Sequence, residues 1–209
     1  MRQNHQEEST GTRRRSAERR QEILDAAAEL FAARGYHGVS IEDLGRAVGV
    51  SGPALYRHFR NKEAVLAEML LAVSERLLTE GTARVAAAEG PAAALDALIE
   101  WHVEFALSKP ALITVHDREL DNVPEAERRT VRRLQRRYVE EWVAVAARIA
   151  PHTARGRLLA ATHAAFGLLN STPHSATNTD LATMRTLLAT MAHAALSSAW
   201  EPNNGGTRP

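Results

Sequence analysis

Read for the spacing of its apolar positions, the chain is helical along most of its length. Ile23, Leu24, Ala27, Leu30 and Phe31 recur three and four residues apart and predict a first helix from near Ser16 to Arg34. Gly35 follows the last periodic residue, where a left-handed glycine commonly ends a helix. A second pattern over 41–48 buries Ile41, Leu44 and Val48, and a third over 52–59 turns Leu55 and Phe59 inward. Only Gly49, Val50 and Ser51 separate these two, a link that suits a pair of helices meeting at an angle.

The caps agree with the periodicity. Ser40 with Asp43 three residues on predicts a capping box for the second helix, and Ser51 is expected to cap the third. Pro53 in the first turn costs nothing, because its missing N–H would have had no helical partner. Asn61 is expected to cap a fourth helix, with Val65, Leu66, Met69, Leu70 and Val73 along one side. Beyond Gly81, breaks at 90–91, 109–110, 122–124, 151 and 171–179 divide an alanine-rich stretch into helices over 92–108, 111–120, 125–150, 154–170 and 180–199. The fold class is therefore all-α, with about nine helices. Residues 1–12 lack periodicity and read as a disordered leader, and 201–209 as a disordered polar tail.

Composition narrows the function classes. An apolar content of 44% and a charged content of 24% are those of an ordinary globular protein. The absence of cysteine excludes disulfides and thiolate metal sites. No apolar run follows the arginines at 13–15 and none approaches the ~18 residues of a membrane span, so a cytoplasmic location is expected, with no signal peptide and no membrane contact. The net charge of +1 conceals an uneven distribution: residues 1–62 hold 11 Lys and Arg against 8 Asp and Glu, and the remainder is slightly acidic. There is no G-x-x-x-x-G-K-[ST], G-x-S-x-G or H-E-x-x-H, so neither an enzyme nor a cofactor or metal site is expected.

The stretch 40–66 carries a specific resemblance. Leu30-Phe31, then Gly35-Tyr36 through Ser40-Ile41, then Ala47-Val48-Gly49-Val50-Ser51, then Leu55-Tyr56-Arg57-His58-Phe59-Arg60-Asn61-Lys62-Glu63 resemble the reading head of the tetracycline-repressor (TetR/AcrR) family of bacterial regulators. The resemblance is close over roughly 26–70. It implies a helix-turn-helix DNA-binding domain over 13–62 and a ligand-binding and dimerisation domain over 63–200. It also implies a homodimer formed through the last two helices, double-stranded operator DNA as partner, and an unidentified small-molecule effector. A repressor released from a palindromic operator by a hydrophobic, acyl-CoA-like effector is the expected function. A helical adaptor or an activator without an effector is the alternative.

Residue by residue, the resemblance implies base reading by the third helix, with Ser51, Ala54, Tyr56, Arg57 and His58 as candidates, phosphate contacts from Ser40, Tyr56 and Lys62, and a place at the DNA for Gly52 and Pro53, which offer little side-chain chemistry. Arg57 is the best base reader, because its fork matches two acceptors on guanine. Lys62 at a helix start suits a phosphate, and His58 is as well explained by packing between helices. With Gly52 and Pro53 leading the helix, DNA shape is expected to supply part of the specificity. Arg13, Arg14 and Arg15 form a basic arm that either follows phosphates or is merely solvated.

Trp101, His102, Phe105, Leu112, His116, Tyr138, Trp142, His163 and Phe166 combine aromatic bulk with few polar groups on apolar faces and are the candidate effector-binding residues. Core packing explains most of them equally well. On the helix over 125–150, Val131, Leu134, Tyr138, Trp142, Val145 and Ile149 form a stripe opposite Arg128, Arg129, Arg132, Arg133, Arg136 and Arg137. That arginine face reads as solvated, with Glu140 and Glu141 one turn from Arg136 and Arg137 and Glu125 one turn before Arg129; anion binding is the alternative.

Overall fold

The computed structural model describes the backbone of residues 2–176 and 179–200 and the side chains of 14–176 and 179–200, within which every element is helical. The helices are α1 (Arg2–Arg34), α2 (Ile41–Ala47), α3 (Gly52–Leu55), α4 (Lys62–Ala87), α5 (Pro91–Ser108), α6 (Pro110–Glu119), α7 (Glu125–Ile149), α8 (Arg155–Leu169), α9 (Thr172–Ser175) and α10 (Leu181–Ser197), with a 3-10 turn at Leu120–Asn122. The nine expected helices are present. The tenth, α9, lies in the expected break at 171–179, where Thr172 and Pro173 read as punctuation although proline suits a first turn.

Most boundaries are local chemistry made visible. Ser40 and Asp43 form the full capping box, Asn61 Oδ1 accepts from Ala64 N–H at 2.9 Å, and Gly35 and Gly49 take φ of 72° and 69° at the ends of α1 and α2. Three expectations are corrected. Helix α1 begins at Arg2 rather than near Ser16, so the leader expected over 1–12 is helical from its second residue. Gln, Glu and Arg are good helix formers, Gly11 alone costs about 1 kcal/mol, and Arg14 pairs with Glu18 one turn on at 3.4 Å. Helix α3 ends at Leu55 instead of Phe59, because the N–H groups of Arg57 and His58 reach back three residues, to Ala54 and Leu55, in tighter turns. Ser51 occupies the N-cap position of α3 without a side-chain bond, its carbonyl alone entering the helix. The tail expected over 201–209 lies outside the described residues.

The chain forms two compact units: Met1–Ala72 with Thr114–Arg128, and Val73–Ile113 with Arg129–Pro209. The first buries Ile23, Ala27, Phe31, Leu44, Leu55, Phe59, Leu66 and Leu70, the residues picked out by periodicity. In the second, α10 packs on α8 and α5 around Leu98, Ile99, Trp142, Leu169, Leu188 and Leu196. No described helix is long and apolar enough to cross a membrane.

Candidate functional site

In the first unit, α3 and the turns that follow it present two unlike sides. Leu55 and Phe59 are buried, while Ser51, Pro53, Tyr56, Arg57 and Arg60 are exposed, Tyr56 by 53%. Among the described residues, the side chains of Tyr56, Arg57 and Arg60 have no hydrogen-bond or ion-pair partner, so their donors are available to a ligand. Gly52, Ala54 and His58 are half-buried.

What holds this face in place is a set of cations turned onto the backbone. Arg20 of α1 spreads its guanidinium between both carboxylate oxygens of Glu68 on α4 and the carbonyl of His58, with its carbon 4.1 Å from the centroid of the Phe59 ring. One side chain thereby ties α1, α4 and the turn after α3. Lys62 Nζ donates to the carbonyls of Tyr36 and Val39, each at 2.8 Å, and stands 4.1 Å over the Tyr36 ring. The ammonium expected to face phosphate is thus largely occupied inside the unit, on the carbonyls of the turn that follows α1. The Ser40 hydroxyl is occupied too: it accepts from Asp43 N–H and donates to the Asp43 carboxylate at 2.7 Å. Bonds from the Ser40 backbone and hydroxyl, with Arg46 adding to them, hold the Asp43 carboxyl below the usual carboxylate range. The buried Glu119 carboxylate closes the same corner, accepting from Tyr36 N–H at 3.1 Å and from Asn122 Nδ2 at 2.8 Å. Of the basic arm, Arg14 and Arg15 are exposed on α1, and the Arg13 side chain lies outside the described residues.

Sequence reasoning passed over Arg20 and Glu119. Arg20 had a readable signal, since it lies in helical phase with Ile23, Leu24, Ala27 and Phe31 and so must point into the unit. Glu119 had none, its partner being 83 residues away.

In the second unit, six of the nine candidate effector-binding residues come together. His102 lies at the centre, stacked on Phe166 (4.8 Å, 11°) and Tyr138 (5.8 Å, 12°), with the edges of Trp142 and Phe105 against it and Trp101 in the same cluster. Nε2–H of His102 donates to Asn170 Oδ1 at 3.0 Å, which leaves Nδ1 to accept from the Tyr138 hydroxyl at 3.4 Å. Burial depresses the His102 pKa from 6.5 to about 4 against the opposing bond to Asn170, so the ring is neutral. Burial likewise raises the Tyr138 phenol and keeps it protonated.

Two donors in this cluster lack acceptors. The Trp142 indole N–H is fully buried and favours charge on the Tyr138 oxygen without reaching hydrogen-bond geometry. Arg84 of α4 places its guanidinium 4.9 Å from the Trp101 ring centroid, with Nε buried and unpaired. A buried donor left unpaired costs about 1–3 kcal/mol. Gly81, one turn before Arg84, provides room for this packing: a Cβ there would stand 2.6 Å from the Tyr138 ring. Asn170, Arg84 and Gly81 were not among the candidates, although Arg84 is in phase with Val73 and Leu77 on the inward side of α4.

The other three candidates lie elsewhere. His163 is exposed on α8, because its phase opposes Leu158, Thr162 and Ala165. His116 is half-buried, bonds Asp117 at 3.2 Å and belongs to the first unit. Leu112 packs in a smaller cluster with Phe105, Ala106 and Ile113. Among the described residues no group of His, Asp or Glu is arranged to hold a metal.

On α7 the predicted stripe is inward, with Val131, Tyr138, Trp142 and Val145 buried, and Arg129, Arg132, Arg133, Arg136 and Arg137 are exposed. The expected i+4 pairing of Glu140 is replaced: its carboxylate takes Arg155 of α8 at 2.6 Å. Glu125 binds Arg128. In the same unit, α10 exposes Leu187 and Met191, four residues apart, and α8 exposes Gly156, Ala160, His163 and Gly167 along one line.

Residues 23–69 match the family model of bacterial regulatory proteins of the tetR family, and residues 88–174 that of the tetracyclin repressor-like C-terminal domain. The transcriptional repressor KstR2 of Rhodococcus jostii (strain RHA1) is 30% identical over 128 residues, 61% of this chain and 63% of the relative, so the chain spans less than two thirds of that relative's length. A TetR-family regulator from Bordetella parapertussis 12822 superposes with a TM-score of 0.73 at 25% identity, covering 83% of this chain and 93% of that one. AibR, solved in complex with isovaleryl coenzyme A and operator DNA, gives 0.69 at 16% identity over 83% and 97% of the two chains.

Proposed function

The chain belongs to the tetR family of bacterial regulatory proteins, a family of regulators rather than enzymes, and on that premise we propose that it is a ligand-responsive transcriptional repressor. It binds a palindromic operator as a homodimer and lets go when a small hydrophobic effector, acyl-CoA-like in class, occupies the interior of its second unit. The observation that carries this reading is the unpartnered Tyr56–Arg57 face in the turns that continue α3, held by side chains that have spent their own donors on the backbone. Arg57 reads bases, Tyr56 and the uncommitted Ser51 hydroxyl meet phosphates, Gly52, Pro53 and Ala54 let the groove approach, and Lys62 and Ser40 fix the shape of the reader.

Two reading heads suit a two-fold operator. The exposed Leu187 and Met191 of α10 beside the small residues of α8 support a four-helix interface between copies, since small residues allow close approach and large ones fill the gaps. A neighbour of the same fold was solved with an acyl-coenzyme A and operator DNA, the pairing proposed for this chain. Release follows from population shift: an effector frees DNA only as far as it favours the conformation that DNA does not. Mobility shift with an operator selected from random-sequence DNA tests the reading. Two chains per two-fold site are expected, and a complex with one chain per site, or no retarded complex, contradicts it.

A further inference from the structure

The aromatic cluster of the second unit is rich in donors and contains no acid. Its polar groups are His102, Tyr138, Asn170, Trp142 and Arg84; the first three satisfy one another, and the last two do not. Arg84 is joined over the Trp101 ring by Arg76, 5.3 Å from the centroid, and among the described residues no carboxylate pairs with either arginine. An aromatic face softens the desolvation of a guanidinium but offers no hydrogen-bond acceptor. Unspent donors of one electrostatic sign, beside a neutral histidine and a protonated phenol, select a ligand that brings acceptor oxygens and negative charge.

From the unspent N–H donors of Arg84 and Trp142 around Trp101, we infer that the effector is an amphiphilic organic anion, its charged head held by Arg84 and its apolar body among Trp101, Tyr138 and Phe166. This deepens the ligand-responsive reading and rests on it. A free carboxylate and the phosphates of a coenzyme A thioester share the required chemistry, and the probes below separate them. A cationic or uncharged amphiphile is disfavoured, the first by Arg84 and the second because it leaves the guanidinium without a counter-charge.

The test is calorimetric titration of the full chain with straight-chain fatty acids, their coenzyme A thioesters and the corresponding alcohols, each from six to sixteen carbons (roughly, the span of a buried apolar body). At the best length an acid or a thioester is expected to bind at least about tenfold tighter than the alcohol, the winner of the two identifying the source of charge. Arg84→Gln should weaken the anion by about tenfold or more and change the alcohol by less than about twofold; Trp142→Phe should weaken the anion severalfold. If Arg84→Gln does not fold, Arg84→Lys takes its place, with loss of preference for the fork-matched anion expected. Equal binding of alcohol and anion, an unchanged anion affinity in the folded Arg84 variant, or no anion binding at any length overturns the inference. Operator affinity measured on the same ligand-free samples keeps the two readings apart: DNA binding without anion binding removes this inference together with the acyl-CoA-like class of effector and leaves operator binding standing, whereas no DNA binding removes the regulator reading.

Discussion

The two units use polar side chains in opposite ways. In the first, Arg20, Lys62 and Glu119 reach across 38, 23 to 26 and 83 residues of sequence to satisfy backbone groups, while Tyr56, Arg57 and Arg60 carry unpartnered donors on the outer face and the Tyr36 hydroxyl is buried without a partner. In the second, long helices satisfy most of the backbone, with Trp101, Arg157 and Thr172 donating to single carbonyls, and two unpaired donors, Trp142 Nε1 and Arg84 Nε, are buried in the aromatic cluster. A reader must hold a rigid outer face, because base recognition tolerates little misplacement. An effector site must leave something unsatisfied for its ligand to complete.

The largest test of this contrast is acid. Unfolded histidine titrates near 6.5, whereas burial holds His102 at about 4. Above 6.5 both states are neutral there; between 6.5 and 4 the unfolded chain takes a proton that the folded chain refuses, so stability falls with falling pH, by on the order of 3 kcal/mol from this group. Denaturant unfolding at pH 7 and pH 4.5 should show a steeper loss for the natural chain than for His102→Gln; parallel losses would place the ring outside the acid response.

Next comes Lys62→Met, which removes two charge-assisted bonds and leaves the Tyr36 carbonyl with the Val39 N–H at 3.4 Å as its partner. A loss of about 2 kcal/mol is expected in thermal or denaturant melts. If the melt does not move, Lys62 is not the staple of this unit. The smallest effect belongs to Arg155→Ala. The Arg155–Glu140 pair is more than half exposed on both sides, so its removal should change stability by about 0.5 kcal/mol or less. A larger loss would show the surface ion pairs of the second unit to be structural after all.

The same division decided what could be read from the sequence. Ser40 with Asp43, Asn61, Gly35 and Gly49 act within a few residues of themselves, and the helices they bound stand where the apolar spacing put them. The aromatic gathering of Trp101, His102, Tyr138, Trp142 and Phe166 was legible because each residue sits on an apolar face that has to be buried. The partners were not. Lys62, Arg20 and Arg84 are cations on inward-facing stripes, which their helical phase announces but which residue type alone assigns to solvent or DNA. Glu140 chose Arg155 over the arginine one turn away because α8 brought a better-placed fork to it. His163 shows the reverse error, an aromatic ring chosen by type when its phase sends it outward.

The separation of reader from frame is tested most directly by measuring operator affinity and melting temperature together on Arg57→Ala combined with Tyr56→Ala. Because neither side chain has a partner within the described residues, the double variant should melt like the natural chain while operator affinity falls at least about tenfold and its salt slope becomes shallower. Unchanged affinity at an unchanged melting temperature would contradict the assignment and remove α3 from the reading of DNA.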